Sequence, residues 1–293
     1  MSTDPNEEEV LAWRSFRPIF EEDPLVDQKA PSFDYTFRDG NVVTIFQEPR
    51  LAARLDGGNL EADTRTLGSH TEASSATGAV VWDSSVVVGR YLEDASTSDP
   101  CALATQAPFD VRGLNVVELG AGCGLLSALV WRLGAAKVVA TERLELLPLL
   151  ARNMAACCSV AMNSEVEKQS PPVVVEYMWG GDVGPWANRC DLILAIDLIY
   201  DIEAVEPLIS SISLLLAAKS GARASDSHGA SCSHSPVALL ALDAAFKRPL
   251  AREAFFSVIQ SKGIESQIIS IQHLADDEKR ESVSLWALRL KNK

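Results

Sequence analysis

Apolar residues recur along the chain with two different periods, and the order of these periods predicts the fold. From residue 115 onward, short apolar runs typical of buried strands alternate with longer segments whose apolar residues recur every three to four positions, which is typical of helices. This alternation predicts an α/β fold, in which helices cover both faces of a mostly parallel sheet. We expect strands at 115–119, 137–141, 172–178, 191–196 and 236–242, and helices at 125–133, 145–158, 203–218 and 250–262.

The pattern changes at both ends of this alternating region. Residues 264–271 and 282–290 resemble two strands joined by only a charged loop, and so short a link permits antiparallel pairing. Residues 33–46 alternate apolar with polar side chains on either side of a glycine-containing turn, which predicts a β-hairpin. A helix is expected to follow at 84–93 because its apolar residues share one face.

The chain of 293 residues is long enough for one large domain, which we place at residues 31–293. Residues 1–30 are acidic and lack periodicity, so we expect a mobile arm or a loosely docked helix there. Two segments rich in small and polar residues, 50–77 and 218–235, are predicted to be surface loops.

The first strand of the alternating region runs into a glycine turn with glycines at positions 120, 122 and 124. Glycine allows a sharp turn and lets a ligand lie against the backbone, and the helix that follows begins with unpaired amides. The dinucleotide fingerprint requires its third glycine one residue later, where this chain has Leu125. The spacing therefore favours an adenosine cofactor without a pyrophosphate, of which S-adenosylmethionine is the best known, and disfavours an NAD-dependent oxidoreductase.

An acidic residue, Glu142, ends the second strand, 18 residues after Gly124. In such a β-α-β unit, an acid at this place hydrogen-bonds the ribose hydroxyls of the cofactor. The simpler alternative is that Glu142 only caps the helix that follows it.

Composition and charge narrow the range of partners. The net charge of −14 argues against binding to a phosphate backbone, so we expect no nucleic acid and favour a basic protein or a small molecule. Apolar runs are shorter than a membrane span and the first ten residues are acidic, so we expect no membrane contact and a cytoplasmic location, with the nucleus as a second one. The six cysteines and four histidines show no metal-ligand spacing, so we expect no metal.

The strand at 191–196 runs into Asp197-Leu198-Ile199-Tyr200, a D-x-x-Y motif. With the glycine turn, the acid at Glu142 and the antiparallel end of the sheet, this motif resembles the methyltransferase-16 family of protein lysine methyltransferases. The resemblance implies a Rossmann-like seven-stranded sheet and S-adenosylmethionine as cofactor. It also implies that Asp197 and Tyr200 face the acceptor, and that the cofactor pocket is lined by Trp82, Glu118, Gly120, Gly122, Gly124, Glu142, Trp179 and Ala195.

Methyl transfer to lysine requires a neutral amine aimed at the sulfonium methyl group, so positioning and desolvation supply much of the acceleration. We expect Asp197 to orient the amine from the ligand-binding edge of the sheet, and Tyr200 to line the channel to it. The alternatives are that Asp197 caps the helix starting near Glu203, and that Tyr200 is a core aromatic residue.

We therefore expect a monomeric enzyme that methylates a lysine of a non-histone protein carrying a basic patch. Two alternatives stay open at this point. The acceptor could be arginine or histidine, or the fold could bind a cofactor or a partner without catalysis.

Overall fold

A computed structural model of the protein describes residues 24–49, 51, 77–97, 109–160, 169–218, 235–243, 249–275 and 277–291. Most of the two predicted surface loops, 50–77 and 218–235, lies outside the described residues. The first 23 residues of the predicted arm also lie outside them.

The main sheet has seven strands in the order β5-β4-β3-β6-β7-β9-β8. All neighbouring strands are parallel except at β9, which pairs antiparallel with both β7 and β8. The predicted Rossmann-like sheet with an antiparallel last strand is thereby confirmed. Its strands are β3 (Asn115–Glu118), β4 (Lys137–Glu142), β5 (Val173–Glu176), β6 (Leu192–Ile196), β7 (Val237–Asp243), β8 (Ile264–Ile269) and β9 (Val283–Leu290).

The helices lie where the apolar periodicity predicts them, with boundaries that differ by a few residues. They are α1 (Asp83–Thr97), α2 (Leu125–Arg132), α3 (Leu147–Val160), α4 (Ile202–Leu216) and α5 (Pro249–Ser261). The strand predicted at 172–178 is shorter, because the chain leaves β5 after Glu176 and turns at Gly180, which has a φ of 83°. In the described part of the chain, no helix is long and apolar enough to cross a membrane.

The sheet separates two hydrophobic cores. Val116 and Val138 point to the core formed with α1, α2 and α3, whereas their neighbours Val117 and Val139 point to the core formed with α4 and α5. Successive side chains of a strand alternate between the two faces, so continuous apolar strands of this kind are expected for a sheet covered on both sides. The main sheet is thus buried on both faces, and its strand ends meet at the carboxyl edge.

The predicted N-terminal hairpin is present as β1 (Ser32–Thr36) and β2 (Val42–Phe46), which pair antiparallel. Its side chains Tyr35, Val43 and Ile45 are buried in the core on the α1 side. The hairpin therefore shares the core on this side of the main sheet.

The prediction of a mobile arm at 1–30 is wrong for its last seven residues, because residues 24–30 pack against the folded core. The side chain of Val26 is only 1% exposed and lies in the core. The carboxylate of Asp83, at the start of α1, accepts hydrogen bonds from the backbone amides of Leu25 (2.9 Å) and Val26 (3.1 Å). A side chain 57 residues away fixes this segment, which local periodicity cannot indicate.

Candidate functional site

A cavity of about 350 Å³ opens at the carboxyl edge of the sheet, where β3, β4, β5 and β6 end. Its volume lies within the roughly 300–1,000 Å³ range of small-ligand sites. Nine of the ten residues predicted for the site line this one cavity: Trp82, Glu118, Gly120, Gly122, Gly124, Glu142, Trp179, Asp197 and Tyr200. The tenth, Ala195, does not line it. Ala195 is fully buried in β6, paired with Leu240, and the wall of the cavity on this strand begins at Ile196.

The glycine turn between β3 and α2 forms one wall of the cavity, and it lies against a second glycine from a distant part of the chain. A Cβ atom on Gly122 would lie 2.8 Å from the carbonyl oxygen of Gly78, and Gly122 has a φ of 55°. Both the close backbone approach and the left-handed conformation therefore require glycine at position 122. Gly78 also accepts a hydrogen bond from the Cys123 thiol at 3.3 Å.

Glu142 lies at the end of β4 with its carboxylate facing the turn. One oxygen accepts a hydrogen bond from the Gly122 amide and the other from the Arg143 amide, both at 2.8 Å. No side-chain capping bond is made to the short helix Leu144–Leu146 that follows, so the structure does not support the capping alternative. A carboxylate has about four acceptor positions, so two remain that fit the hydroxyl groups of a ribose.

Glu118, at the end of β3, also lines the cavity, but its carboxyl group binds the helix that follows the turn. Ser127 donates its hydroxyl to Glu118 Oε2, and the Ser127 amide provides a further hydrogen bond. Burial raises the pKa of Glu118 to about 8, against the lowering effect of these bonds. The side chain therefore satisfies the amino-terminal turn of α2, a tertiary role that sequence reasoning missed.

The raised pKa of Glu118 predicts a pH-dependent stability. The folded protein holds this proton more tightly than the unfolded chain, so the contribution to stability is complete below pH 4.5 and is lost as the pH rises through about 8. Glu118→Gln stays neutral and keeps an acceptor for Ser127. Between pH 6 and pH 9 the Tm of the parent protein is expected to fall roughly 5 °C further than that of E118Q. If the Tm of both proteins changed equally between pH 6 and pH 9, the pKa of Glu118 would not be raised.

Asp197 follows β6 directly and has an unusual backbone conformation. Its φ is 57°, and it is the only non-glycine residue with a positive φ in the described part of the chain. Its Oδ1 accepts the Asp243 amide at 3.0 Å, and its Oδ2 accepts the hydroxyl of Ser84. Burial raises the pKa of Asp197 to about 6, so its carboxylate is ionised at neutral pH.

The residue that caps α4 is Asp201, whose side chain accepts the Glu203 amide at 3.0 Å. The alternative that Asp197 caps this helix is therefore wrong. Asp197 instead faces the cavity, and its role toward an acceptor stays a prediction.

Three aromatic residues surround the inner part of the site. Trp82 donates its indole N–H to the Thr77 carbonyl at 2.9 Å, which fixes the ring over the cavity. The rings of Trp179 and Tyr200 contact each other with centroids 6.2 Å apart. Tyr200 is only partly buried and lines the cavity, so the alternative of a core aromatic does not describe it.

A smaller cavity of about 60 Å³ adjoins the first one, and Thr77, Trp82, Asp197 and Tyr200 border both. Its far side contains Asp243, the last residue of β7, and Arg252 of α5. Sequence reasoning missed both residues. Asp243 could have been found by the rule that located Asp197, since each acid stands at the carboxyl end of a buried strand, whereas Arg252 carries no local signal.

The charges of the large cavity fit the predicted cofactor. Its charged lining residues in the described part of the chain are three acids, Glu118, Glu142 and Asp197, and one base, Arg143. The ionised carboxylate of Asp197 suits the sulfonium cation of S-adenosylmethionine, and Glu142 suits its ribose. Among the described residues, no group of three or more His, Cys, Asp or Glu side chains could hold a metal ion.

Residues 61–225, more than half of the chain, match the family described as lysine methyltransferase. The chain is 31% identical over 171 residues to the protein N-lysine methyltransferase METTL21A of Mus musculus, a match that covers 58% of this chain and 62% of that protein. It is 32% identical over 143 residues to the protein-lysine methyltransferase METTL21E of Mus musculus, covering 47% of this chain and 52% of the relative. These matches thus span about half to three fifths of the relatives' length.

Among solved structures, the magnesium protoporphyrin IX methyltransferase from Synechocystis PCC 6803 with bound SAM matches at 14% identity and a TM-score of 0.42. The match covers 81% of this chain and 88% of that chain.

Proposed function

The chain belongs to the lysine methyltransferase family, and we propose that it transfers the methyl group of S-adenosylmethionine to a lysine side chain of a protein. The observation that carries this proposal is the position of Asp197. Its ionised carboxylate borders both cavities. The large cavity fits the cofactor, and the small cavity adjoins the large one at Asp197.

Bound S-adenosylmethionine would supply an electrophilic methyl group, and the protein would hold the acceptor nitrogen in line with it. Asp197 is placed to accept a hydrogen bond from the neutral lysine amine and so to aim its lone pair. Tyr200 and Trp82 border both cavities and would exclude water from the reacting atoms. The lysine would lose its proton to solvent before the transfer, so the step itself would need no strong base.

The cofactor would be held by residues at three strand ends. Glu142 offers its two remaining acceptor positions to the ribose hydroxyls, while the glycine turn leaves room for the ligand against the backbone. Leu146 and Met178 provide apolar wall on the β4 and β5 side, which suits the adenine ring.

A protein acceptor is supported by large apolar side chains at the mouth of the cavities. Leu144, Met178, Ile202 and Leu250 are each more than half exposed and follow the carboxyl ends of β4, β5, β6 and β7. We call them the apolar rim. Each one lines the cavities or lies within two residues of a residue that does. An exposed apolar surface around a site is typical of protein binding.

The partner surface would be basic as well as apolar, since the chain carries a net charge of −14. We propose that association is steered by charge, so its rate should fall as salt is raised. A rate that is insensitive to salt would contradict a basic partner surface. The monomeric state and the cytoplasmic or nuclear location stay predictions.

The function is tested in two steps. Calorimetry is expected to detect binding of S-adenosylmethionine and none of NAD; binding of NAD alone would overturn the proposed chemistry. A methyltransferase-depleted lysate is then incubated with isotopically labelled cofactor, and the modified residues are mapped by mass spectrometry.

Label on lysine that is absent with the Asp197→Asn variant supports the proposal. Label on arginine or histidine would change the acceptor, and the absence of any Asp197-dependent label would point to a binding module without catalysis.

A further inference from the structure

The carboxylate of Asp197 is held from two distant parts of the chain. Ser84, in the first turn of α1, is fully buried and donates its hydroxyl to Asp197 Oδ2. The Asp243 amide, at the end of β7, donates to Oδ1 at 3.0 Å. We propose that Ser84 is a positioning residue that fixes the Asp197 carboxylate for the acceptor amine. This inference rests on the proposed function and deepens it.

The backbone of Asp197 explains why its side chain must be held. A residue with a φ of 57° is in the left-handed region, which side chains other than glycine rarely adopt. The Asp197 amide is tied to the Ala241 carbonyl at 3.0 Å, and the two carboxylate bonds complete the restraint. Strained conformations of this kind persist where the surroundings overdetermine them, and they concentrate at functional sites.

The charges around Asp197 show what the Ser84 hydroxyl adds. The neighbouring carboxylate of Asp243 disfavours the ionised form of Asp197, whereas Arg252 favours it. Ser84 is a neutral side chain that donates to the carboxylate, and this bond lowers the pKa of Asp197 against the effect of burial. Without the hydroxyl, Asp197 should hold its proton to a higher pH and lose its fixed orientation.

Ser84 is itself firmly placed. The adjacent residue Asp83 binds the amides of Leu25 and Val26, and its Oδ2 lies 3.3 Å from the guanidinium of Arg280. Two residues before Ser84, Trp82 lines both cavities. The start of α1 thereby joins Trp82, in the wall of the large cavity, to the carboxylate of Asp197, and Ser84 makes the contact with that carboxylate.

The direct test is a titration of Asp197 that requires no activity. The aspartate carboxyl carbons are labelled with ¹³C and followed by NMR in the full chain, and Asp197 is assigned by its absence from the spectrum of D197N. The midpoint is expected near pH 6 in the parent protein. In Ser84→Ala it should lie about one pH unit higher, as expected for losing a hydrogen bond to a charged group.

Ser96→Ala is the matched control. Ser96 lies on the same helix, is 3% exposed, and accepts the Val111 amide at 3.2 Å, so its removal also deletes one buried hydroxyl. S96A should leave the midpoint of Asp197 unchanged. An unchanged midpoint in S84A, or an equal shift in S96A, would overturn the proposal.

Kinetics add a second readout. S84A is expected to lower kcat about tenfold, because a misplaced carboxylate no longer aligns the amine, while the Kd of the cofactor stays within about twofold. In S84A/D197N the loss should equal that of D197N alone, since Ser84 acts through Asp197. If the kcat of the double variant fell by the product of the two single losses, Ser84 would act independently of Asp197, and its positioning role would be refuted. If the parent protein transferred no methyl group, the proposed function would fail. The titration would still show whether Ser84 holds the Asp197 carboxylate.

Discussion

Asp197→Asn is expected to reduce the kcat of methyl transfer by about 10²–10³-fold while cofactor affinity changes less than about threefold. The asparagine has the same shape, so its carbonyl oxygen can accept the Asp243 amide and its amide group can donate to the Ser84 hydroxyl. The side chain then stays in place, but it lacks the negative charge that orients the lysine amine. Steady-state kinetics together with calorimetry of S-adenosylmethionine separate the two effects.

Asp201→Asn is the matched control for this change. Asp201 is an acid four residues later, and it caps α4 by accepting the Glu203 amide. Asparagine caps helices about as well as aspartate, so D201N should keep both stability and transfer. Undiminished transfer in D197N would remove Asp197 from the mechanism. A loss in D201N equal to that in D197N would instead show that removing any negative charge in this segment lowers transfer.

The pH dependence should differ between the parent protein and D197N. Asp197 is protonated below about pH 6 and ionised above it, so its orienting effect is lost as the pH falls through that value. The parent protein should therefore lose activity on the acid side more steeply than the variant.

Most of the fold could be predicted from the sequence because its signals are local. Buried strands are continuous apolar runs, and helices are longer segments that are apolar on one face or, like α2, almost throughout, so the elements and their order follow from residues close to each other. The same holds for part of the site. Asp197 and Glu142 were found because a polar residue directly after a buried strand must lie at the edge where ligands bind.

The remaining parts of the site depend on contacts between distant segments. Ser84 and Asp197 are 113 residues apart, and Gly78 and Gly122, whose backbones lie in contact, are 44 residues apart. Neither pair leaves a periodic or compositional signal. For Glu118, the family resemblance implied a place in the cofactor pocket. Glu118 does line the cavity, but its carboxyl group binds Ser127 of α2, a contact that the resemblance did not indicate.

Gly122→Ala is expected to weaken cofactor binding at least about 100-fold and to lower the Tm by more than about 5 °C. The new Cβ would lie 2.8 Å from the Gly78 carbonyl oxygen and 3.2 Å from its Cα. Because both contacts are to backbone atoms, no side chain can move aside, and the turn must shift away from Gly78. That shift also displaces the Gly122 amide from Glu142, so the ribose site loses its geometry together with the wall of the cavity.

Gly113→Ala separates this clash from simple backbone strain. Gly113 has a φ of 73°, close to that of Gly122, but a Cβ there meets no atom within 4 Å. The left-handed conformation costs an alanine about 1–2 kcal/mol at either position. G113A should therefore lose roughly 2–6 °C in Tm and bind S-adenosylmethionine normally. If calorimetry gave the two variants the same cofactor affinity, the contact between Gly122 and Gly78 would not shape the cofactor site. Glycine at position 122 would then be required only for its left-handed backbone conformation.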